Sequence, residues 1–160
     1  MFRLILLSIL MFYLQFLYAP AIGLFQTVPN LLLPVVLYFC IIREGIKGLV
    51  LAFLLGLALD LNLPSSFGVS ALLFVIIAYT TGNLKKYMNR QQMGMMVLLI
   101  FLANVFYFFG ASLIFSIFNT GNELPAGKII LLSFYNTIYS FVLMLLLYLL
   151  DHLNIRISQK

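Results

Sequence analysis

Few side chains in this 160-residue sequence could perform acid–base, nucleophilic or metal-assisted chemistry. It has one histidine, His152, one cysteine, Cys40, and four acidic residues. Catalysis by such groups needs several of them brought together. Only Asp60 lies inside an apolar segment, so the paired carboxylates of a membrane aspartyl protease and the buried histidine of a serine protease are missing. We predict no catalytic, cofactor or metal site, and no enzyme.

Asp60 ends a regular series of small residues in the third apolar segment. Gly48, Ala52, Gly56 and Asp60 recur every four residues, which places them along one face of a helix. Small residues let another helix approach closely, and such packing drives helix association in lipid. We name these four residues the small-residue stripe and interpret it as a helix-packing or partner interface.

A carboxylate within a membrane costs about 2.5–3.5 kcal/mol at the helix centre, so Asp60 needs a partner, a water-filled cavity or a proton. Three roles are open: a hydrogen-bonding anchor for nearby backbone, a residue of a partner interface, or a proton or ligand site. The second and third segments form a hairpin, so we expect Asn30 and the turn at 64–68 to lie near Asp60.

The other strongly polar residues within apolar segments are Gln15, Asn104 and Asn136. Hydrogen bonds between helices account for such residues in membrane bundles, and a polar pathway is the alternative. Asn30 precedes the second segment and has the side chain of a helix N-cap. Pro34 follows within the first turn, where a missing N–H costs little.

These residues must be positioned by apolar helices, because 64% of the chain is hydrophobic and 8% is charged. That charge is too little to cover a water-soluble fold of this size. We predict an all-α fold: one domain, residues 1–160, forming a polytopic bundle of six transmembrane helices. The predicted spans are 4–22, 29–42, 46–63, 69–84, 93–118 and 129–150.

The net charge of +5 is spread between the apolar segments and forms no patch suited to nucleic acid. The alternate connections that hold the basic residues are cytoplasmic by the positive-inside rule, with both termini inside. Lys128 alone falls on the other side. The segment from Lys85 to Arg90 is interpreted as a topology determinant; recognition of anionic lipid or of a cytoplasmic partner is the alternative. The main topology determinants are Arg43, Lys47, Lys85, Lys86 and Arg90.

An ordered series of motifs resembles one bacterial family. Pro29-Asn30 precedes an apolar span, the basic turn 43–47 follows, then come Gly48, the segment from Gly56 to Asp60, and Gly68 opening the next span. This series resembles the MreD family of rod-shape-determining membrane proteins, most strongly over residues 28–82. Pro29, Asn30 and Gly68 are its structural motif residues.

The resemblance implies a multi-pass protein of the bacterial cytoplasmic (inner) membrane that belongs to the cell-elongation machinery. The implied partners are MreC, the MreB filaments directly or indirectly, the glycosyltransferase RodA with its transpeptidase, and membrane lipid. Such a protein acts as a scaffold and regulator of peptidoglycan synthesis. The resemblance also implies a fold like that of the substrate-binding subunits of energy-coupling-factor transporters.

Two other functions compete with a scaffold. A vitamin-binding transporter subunit commonly presents an alanine-rich surface on its first span, but here Ala19 and Ala21 stand only at the end of that segment. A proton-coupled carrier would require Asp60 to titrate in a cavity. The single helix of MreC, in contrast, would suit the small-residue stripe.

Overall fold

The computed structural model describes residues 2–23, 28–42, 46–61, 67–84, 93–118 and 125–157. These residues form six α-helices and no strand, as predicted for an all-α fold. A short 3₁₀ helix at Ala19–Ile22 follows the first α-helix, because Pro20 cannot continue the regular hydrogen bonding. The helices are α1 (Phe2–Leu17), α2 (Leu32–Ile42), α3 (Ile46–Asp60), α4 (Val69–Leu84), α5 (Met93–Ile117) and α6 (Ala126–Ile157).

Successive helices run in opposite directions. The α2–α3 pair is a hairpin, since Gly48 near the start of α3 lies against Cys40 near the end of α2. The even-numbered helices run parallel to one another: Asn30, just before α2, bonds to Asn136 of α6, and Tyr38 further along α2 bonds to the carbonyl of Leu147. Asp60 at the end of α3 bonds to Gly68 just before α4, so the starts of α2 and α4 lie at the same end of the bundle.

Helix α2 is the centre of the bundle, and every residue from Leu31 to Cys40 is buried. It packs against α1, α3, α4 and α6. Its sequence explains this position, because a helix that is apolar on all sides is stable only when it is surrounded. Its 11 residues reach about 17 Å at 1.5 Å per residue. A helix this short need not match the bilayer, since protein and not lipid covers it.

Among the described residues, two helices are long and apolar enough to cross a membrane, namely Gly94–Ile117 within α5 and Ala126–Leu147 within α6. Helix α6 has 32 residues, or about 48 Å, which exceeds the roughly 30 Å of a hydrocarbon core. It begins three residues before the predicted last span and continues beyond it.

The outer surface of the described helices is largely apolar. Large hydrophobic side chains are exposed on every helix except α2, among them Tyr13, Phe53, Leu72, Leu102 and Ile138. An apolar surface this extensive requires contact with lipid or with other apolar protein surfaces. Most amide side chains of the described helices, in contrast, are buried, as Gln15, Asn104 and Asn136 show.

Candidate functional site

The start of α2 is a buried helix end whose free backbone N–H groups all donate hydrogen bonds to side chains. The Oδ1 atom of Asn30 accepts hydrogen bonds from the backbone N–H groups of Leu32 at 3.2 Å and Leu33 at 3.1 Å. This is the N-cap arrangement predicted for Asn30, because the cap oxygen serves the second and third helical residues. Asn30 itself is 4% exposed.

Two other helices complete the cap of α2. The N–H of Leu31 donates to Oε1 of Gln15 in α1 at 2.7 Å, and the N–H of Asn30 donates to Oδ1 of Asn136 in α6 at 2.9 Å. Pro34, which follows Leu33, has no backbone N–H. Every backbone donor from Asn30 to Pro34 is thereby accounted for, which removes the cost of burying a helix end.

Gln15 also ties down the residue before the cap. Its Nε2 atom donates to the carbonyl of Pro29 at 3.0 Å, so the amide both gives and accepts a hydrogen bond at this junction. Pro29, predicted as a structural motif residue, is buried here. Replacing Gln15 with Glu would remove the Nε2 donor, because an ionised carboxylate only accepts hydrogen bonds.

The start of α4 is capped from α3 by Asp60, which is 1% exposed. Its Oδ2 atom accepts from the N–H groups of Gly68 at 2.9 Å and Ala71 at 3.1 Å, and its Oδ1 atom accepts from Ser70 at 3.0 Å. A carboxylate also interacts favourably with the positive end of the helix dipole. Of the three roles open for Asp60, the contacts match the backbone anchor.

Gly68 is the residue that brings the chain into α4. Its φ of +98° lies in the region that favours glycine, and no atom occupies the space where a Cβ would be. Its carbonyl accepts the first bond of the helix, from Leu72 at 3.0 Å, and its N–H points at Asp60. The turn before α4 therefore favours glycine because of its positive φ, and not because a Cβ atom would meet a neighbour.

The small-residue stripe packs inside this chain. A Cβ atom on Gly56 would lie 2.4 Å from Cα of Ala71, and one on Gly48 would lie 3.2 Å from Sγ of Cys40. Ala52 and Asp60 are buried as well. The stripe is a helix-packing surface that α2 and α4 of the same chain occupy, so a partner's helix would have to displace one of them to dock there.

A pair of hydroxyl groups lies beside the Asp60 cap. Ser70 Oγ and Tyr107 Oη are 3.1 Å apart and link α4 to α5, and the Tyr107 ring packs on Phe74 with centroids 5.5 Å apart. The sequence analysis missed both residues. The only local signal is a serine in the first turn of a helix, a common position for capping residues.

The buried amides between α2, α5 and α6 form a short chain. Asn136 accepts from the N–H of Asn30 and donates through Nδ2 to Oδ1 of Asn104. Asn104 then donates to the carbonyl of Ile100 in its own helix at 2.9 Å. The chain ends in backbone, so these residues join helices as expected, and the described contacts form no continuous polar pathway.

Among the described residues, the Nδ2 atom of Asn30 makes no hydrogen bond of ordinary geometry, although its side chain interacts with the Tyr107 hydroxyl. The Oδ1 atom of Asn30 faces the backbone of α2, so its Nδ2 atom faces away from that backbone. An unpaired buried donor costs about 1–3 kcal/mol.

Of the five predicted topology determinants, the structure describes Lys47, which is exposed in the first turn of α3. Lys128 is exposed in the first turn of α6. Because α3 and α6 run in opposite directions, these two lysines lie at opposite ends of the bundle. Arg43, Lys85, Lys86 and Arg90 lie outside the described residues.

The chemistry available at the two capped helix starts is structural. Apart from Nδ2 of Asn30, the side-chain atoms that cap them are engaged with backbone groups or with one another, and the described residues contain no group of three His, Cys, Asp or Glu side chains that could hold a metal ion. Helices α1 and α6 meet the start of α2, and α3 and α5 meet the start of α4.

Comparison with known proteins identifies the family of this helical bundle. The family model described as "rod shape-determining protein MreD" matches residues 1–157. No curated protein and no solved structure matches the chain. The chain belongs to the MreD family, a family of membrane proteins with a role in rod shape determination.

Proposed function

We propose that this chain is a non-catalytic scaffold and regulator of the cell-elongation complex. In this role it binds MreC and links MreB filaments, directly or indirectly, to the peptidoglycan synthases RodA and its transpeptidase partner. The observation that carries the proposal is the match of the MreD family model to nearly the whole chain, residues 1–157.

The use of the buried polar groups supports a scaffold. Asp60, Gln15 and Asn136 are each engaged in two or three hydrogen bonds that hold helix starts in place. Groups committed in this way position helices, and a reaction would require them to change partners. A rigid bundle with an apolar exterior is suited to holding other membrane helices in a fixed arrangement.

Because α2 and α4 cover the small-residue stripe, the surface that binds a partner lies elsewhere on the chain. A membrane helix of MreC has to bind an outer face, such as the exposed side of α1 with Ile9, Tyr13 and Leu17 or that of α6 with Ile130, Phe134 and Ile138. Single cysteines at Tyr13 and Ile138, in a Cys40→Ala background, would distinguish these two faces by disulfide cross-linking to a cysteine in the MreC helix.

We further propose six spans in the bacterial cytoplasmic membrane with both termini inside. The alternating directions of the six described helices support two termini on the same side of the membrane, and the excess of Lys and Arg in alternate connections supports the cytoplasm as that side. Short central helices such as α2 would then lie within the membrane but behind other helices. Reporter fusions after residues 45, 90 and 122 test the assignment: the first two should report the cytoplasm and the third the outside.

Co-expression with MreC, followed by affinity capture of this chain and size-exclusion chromatography, is the direct test. A stoichiometric complex is expected. A chain that folds, runs without MreC and retains a small molecule would overturn the scaffold and favour the vitamin-transporter alternative, whose fold resemblance stays a prediction.

A further inference from the structure

The hydroxyl group of Tyr107 lies between the two capped helix starts. Its oxygen is 3.1 Å from Oγ of Ser70, in the first turn of α4. The side chain of Asn30, which caps α2, interacts with the same hydroxyl, and the carboxylate of Asp60, which caps α4, acts on it electrostatically. One phenol of α5 therefore meets the caps of two other helices.

The amide of Asn30 meets this phenol with its nitrogen. Its Oδ1 atom is committed to the backbone N–H groups of Leu32 and Leu33, so Nδ2 is the polar atom left to face Tyr107. An amide NH₂ group donates hydrogen bonds and does not accept them. Asn30 is 4% exposed, and a donor buried to this degree needs an acceptor. The oxygen of Tyr107 is therefore the acceptor that suits Nδ2.

This assignment fixes the direction of the bond between Tyr107 and Ser70. A phenol has one proton to donate, and its oxygen can accept a hydrogen bond at the same time. With the oxygen turned to Asn30, the proton is available to Ser70 Oγ, the hydroxyl oxygen 3.1 Å away. Hydrogen bonds joined in series polarise and strengthen one another. The series runs from the cap of α2 to the cap of α4.

The ring of Tyr107 is held by aromatic contacts that do not involve its hydroxyl. It packs on Phe74 with centroids 5.5 Å apart and on Phe108 with centroids 5.4 Å apart. Such contacts are worth about 0.5–1.5 kcal/mol for each pair beyond the area that they bury. Phenylalanine at position 107 would keep these contacts, so the substitution isolates the hydroxyl group.

We propose that Tyr107 couples the two capped helix starts, accepting a hydrogen bond from Nδ2 of Asn30 and donating one to Oγ of Ser70. The cap of α2 is held by α1 and α6, and the cap of α4 is held by α3. Through the phenol, a change at one cap alters the stability of the other. The coupling is a property of this chain alone, so its failure would leave the scaffold proposal untouched.

A double-mutant cycle tests the bond between Asn30 and Tyr107. The melting temperature of the full chain in detergent is followed by dye labelling of the buried Cys40. Tyr107→Phe should lower it by roughly 2–12 °C, the shift expected for one unpaired buried donor. Tyr79→Phe removes a hydroxyl from a side chain that is 62% exposed on α4 and should cause no shift.

The second substitution of the cycle is Asn30→Ser, which keeps a capping oxygen and removes Nδ2. In this background Tyr107→Phe leaves no amide donor unpaired, so it should lower the melting temperature less than it does in the natural sequence. Equal shifts in the two backgrounds would overturn the proposal.

Hydrogen exchange at the backbone amides tests the coupling between the caps. Ser70→Ala removes the acceptor of the Tyr107 proton and leaves the bonds from the α4 backbone to Asp60 in place. Exchange at residues 30–33 should nevertheless rise roughly threefold, the factor for one hydrogen bond between membrane helices. Thr80→Val, which removes a hydroxyl that bonds within α4, should leave these amides unchanged.

The same substitution in a Tyr107→Phe background provides the decisive comparison. Without the phenol hydroxyl, Ser70→Ala should no longer change exchange at residues 30–33. Unchanged exchange there in Ser70→Ala alone, or an effect of equal size in the Tyr107→Phe background, would contradict the coupling.

Discussion

Gly56 and Ala71 meet backbone to backbone, so closely that a Cβ atom added to Gly56 would lie 2.4 Å from Cα of Ala71. This contact sets the distance between α3 and α4. Asp60 follows Gly56 by one helical turn and reaches the N–H groups of Gly68, Ser70 and Ala71 from the same face. Close packing at the glycine and capping at the carboxylate therefore act on the same two residues of the next helix, Ser70 and Ala71.

Gly56→Ala should destabilise the bundle strongly, because the added methyl group meets backbone that cannot move aside. Overpacking of a core costs about 1–3 kcal/mol and more when helices must separate. Gly110→Ala should cost less, since its methyl group meets the flexible side chain of Leu73, and Gly127→Ala should be close to neutral because that space is open.

The single cysteine provides the measurement for this glycine series. Cys40 is buried and is the only cysteine in the chain, so its labelling by a thiol-reactive dye during heating reports unfolding. The expected order of apparent melting temperature is Gly127→Ala, Gly110→Ala, then Gly56→Ala as the lowest. Equal melting of Gly56→Ala and Gly127→Ala would contradict the backbone contact.

Replacing Asp60 should reduce stability in proportion to the N–H groups left without an acceptor. Asp60→Ala leaves three donors unpaired, at about 1–3 kcal/mol for each one that stays buried. Asp60→Asn keeps one oxygen and should melt between the natural protein and Asp60→Ala. If Asp60 served a proton or ligand site, Asp60→Asn would instead keep its melting temperature and lose cell-shape complementation in a strain that lacks the natural gene.

Gly68→Ala and Gly82→Ala should shift stability in opposite directions, although both methyl groups would enter open space. At Gly68 the positive φ makes an L-residue cost roughly 1–2 kcal/mol. At Gly82, within helix α4, alanine should gain about 0.5–1 kcal/mol. The difference in Cys40 labelling temperature between the two variants tests this, and a Gly68→Ala protein as stable as Gly82→Ala would argue against the strained turn.

Asn136 should matter more than Asn104, because its loss leaves more buried groups without a partner. Asn136→Ala leaves two, the N–H of Asn30 and the Oδ1 of Asn104, at about 1–3 kcal/mol for each. Asn104→Ala leaves one, the Nδ2 of Asn136, because the carbonyl of Ile100 can still accept within its helix. A double-mutant cycle should give a coupling of about 0.6 kcal/mol, and at most about 1.7 kcal/mol. Strictly additive effects of the two substitutions would show that the Asn136–Asn104 bond contributes nothing.

Local patterns in the sequence predicted the parts of the site that are built from nearby residues. Asn30 caps the helix that follows it, and the four-residue series ending at Asp60 lies on one buried helix face, as its spacing predicts. The contact between Asp60 and the turn at Gly68 was also expected, because short connections force successive helices into hairpins. Such features depend on neighbours within about ten residues.

The features that the sequence could not reveal depend on distant partners. Gln15 and Asn136 were recognisable as polar residues in apolar helices, but nothing local indicates that both serve the start of α2. The identity of the neighbour that fills the small-residue stripe is equally hidden, since small residues suit a helix of the same chain and a partner's helix alike. The sequence analysis left a helix-packing and a partner interface open, and the contacts of Gly56 show that α4 of the same chain packs there.

The bond between Asn30 and Asn136 joins residues 106 positions apart, which has a consequence for the order of biogenesis. The ribosome delivers α2 before α6, so in a nascent chain the N–H of Asn30 lacks its acceptor on Asn136 until α6 has been synthesised and inserted. A message truncated before residue 126 would yield a bundle with an open centre, the kind of product that membrane quality-control proteases remove.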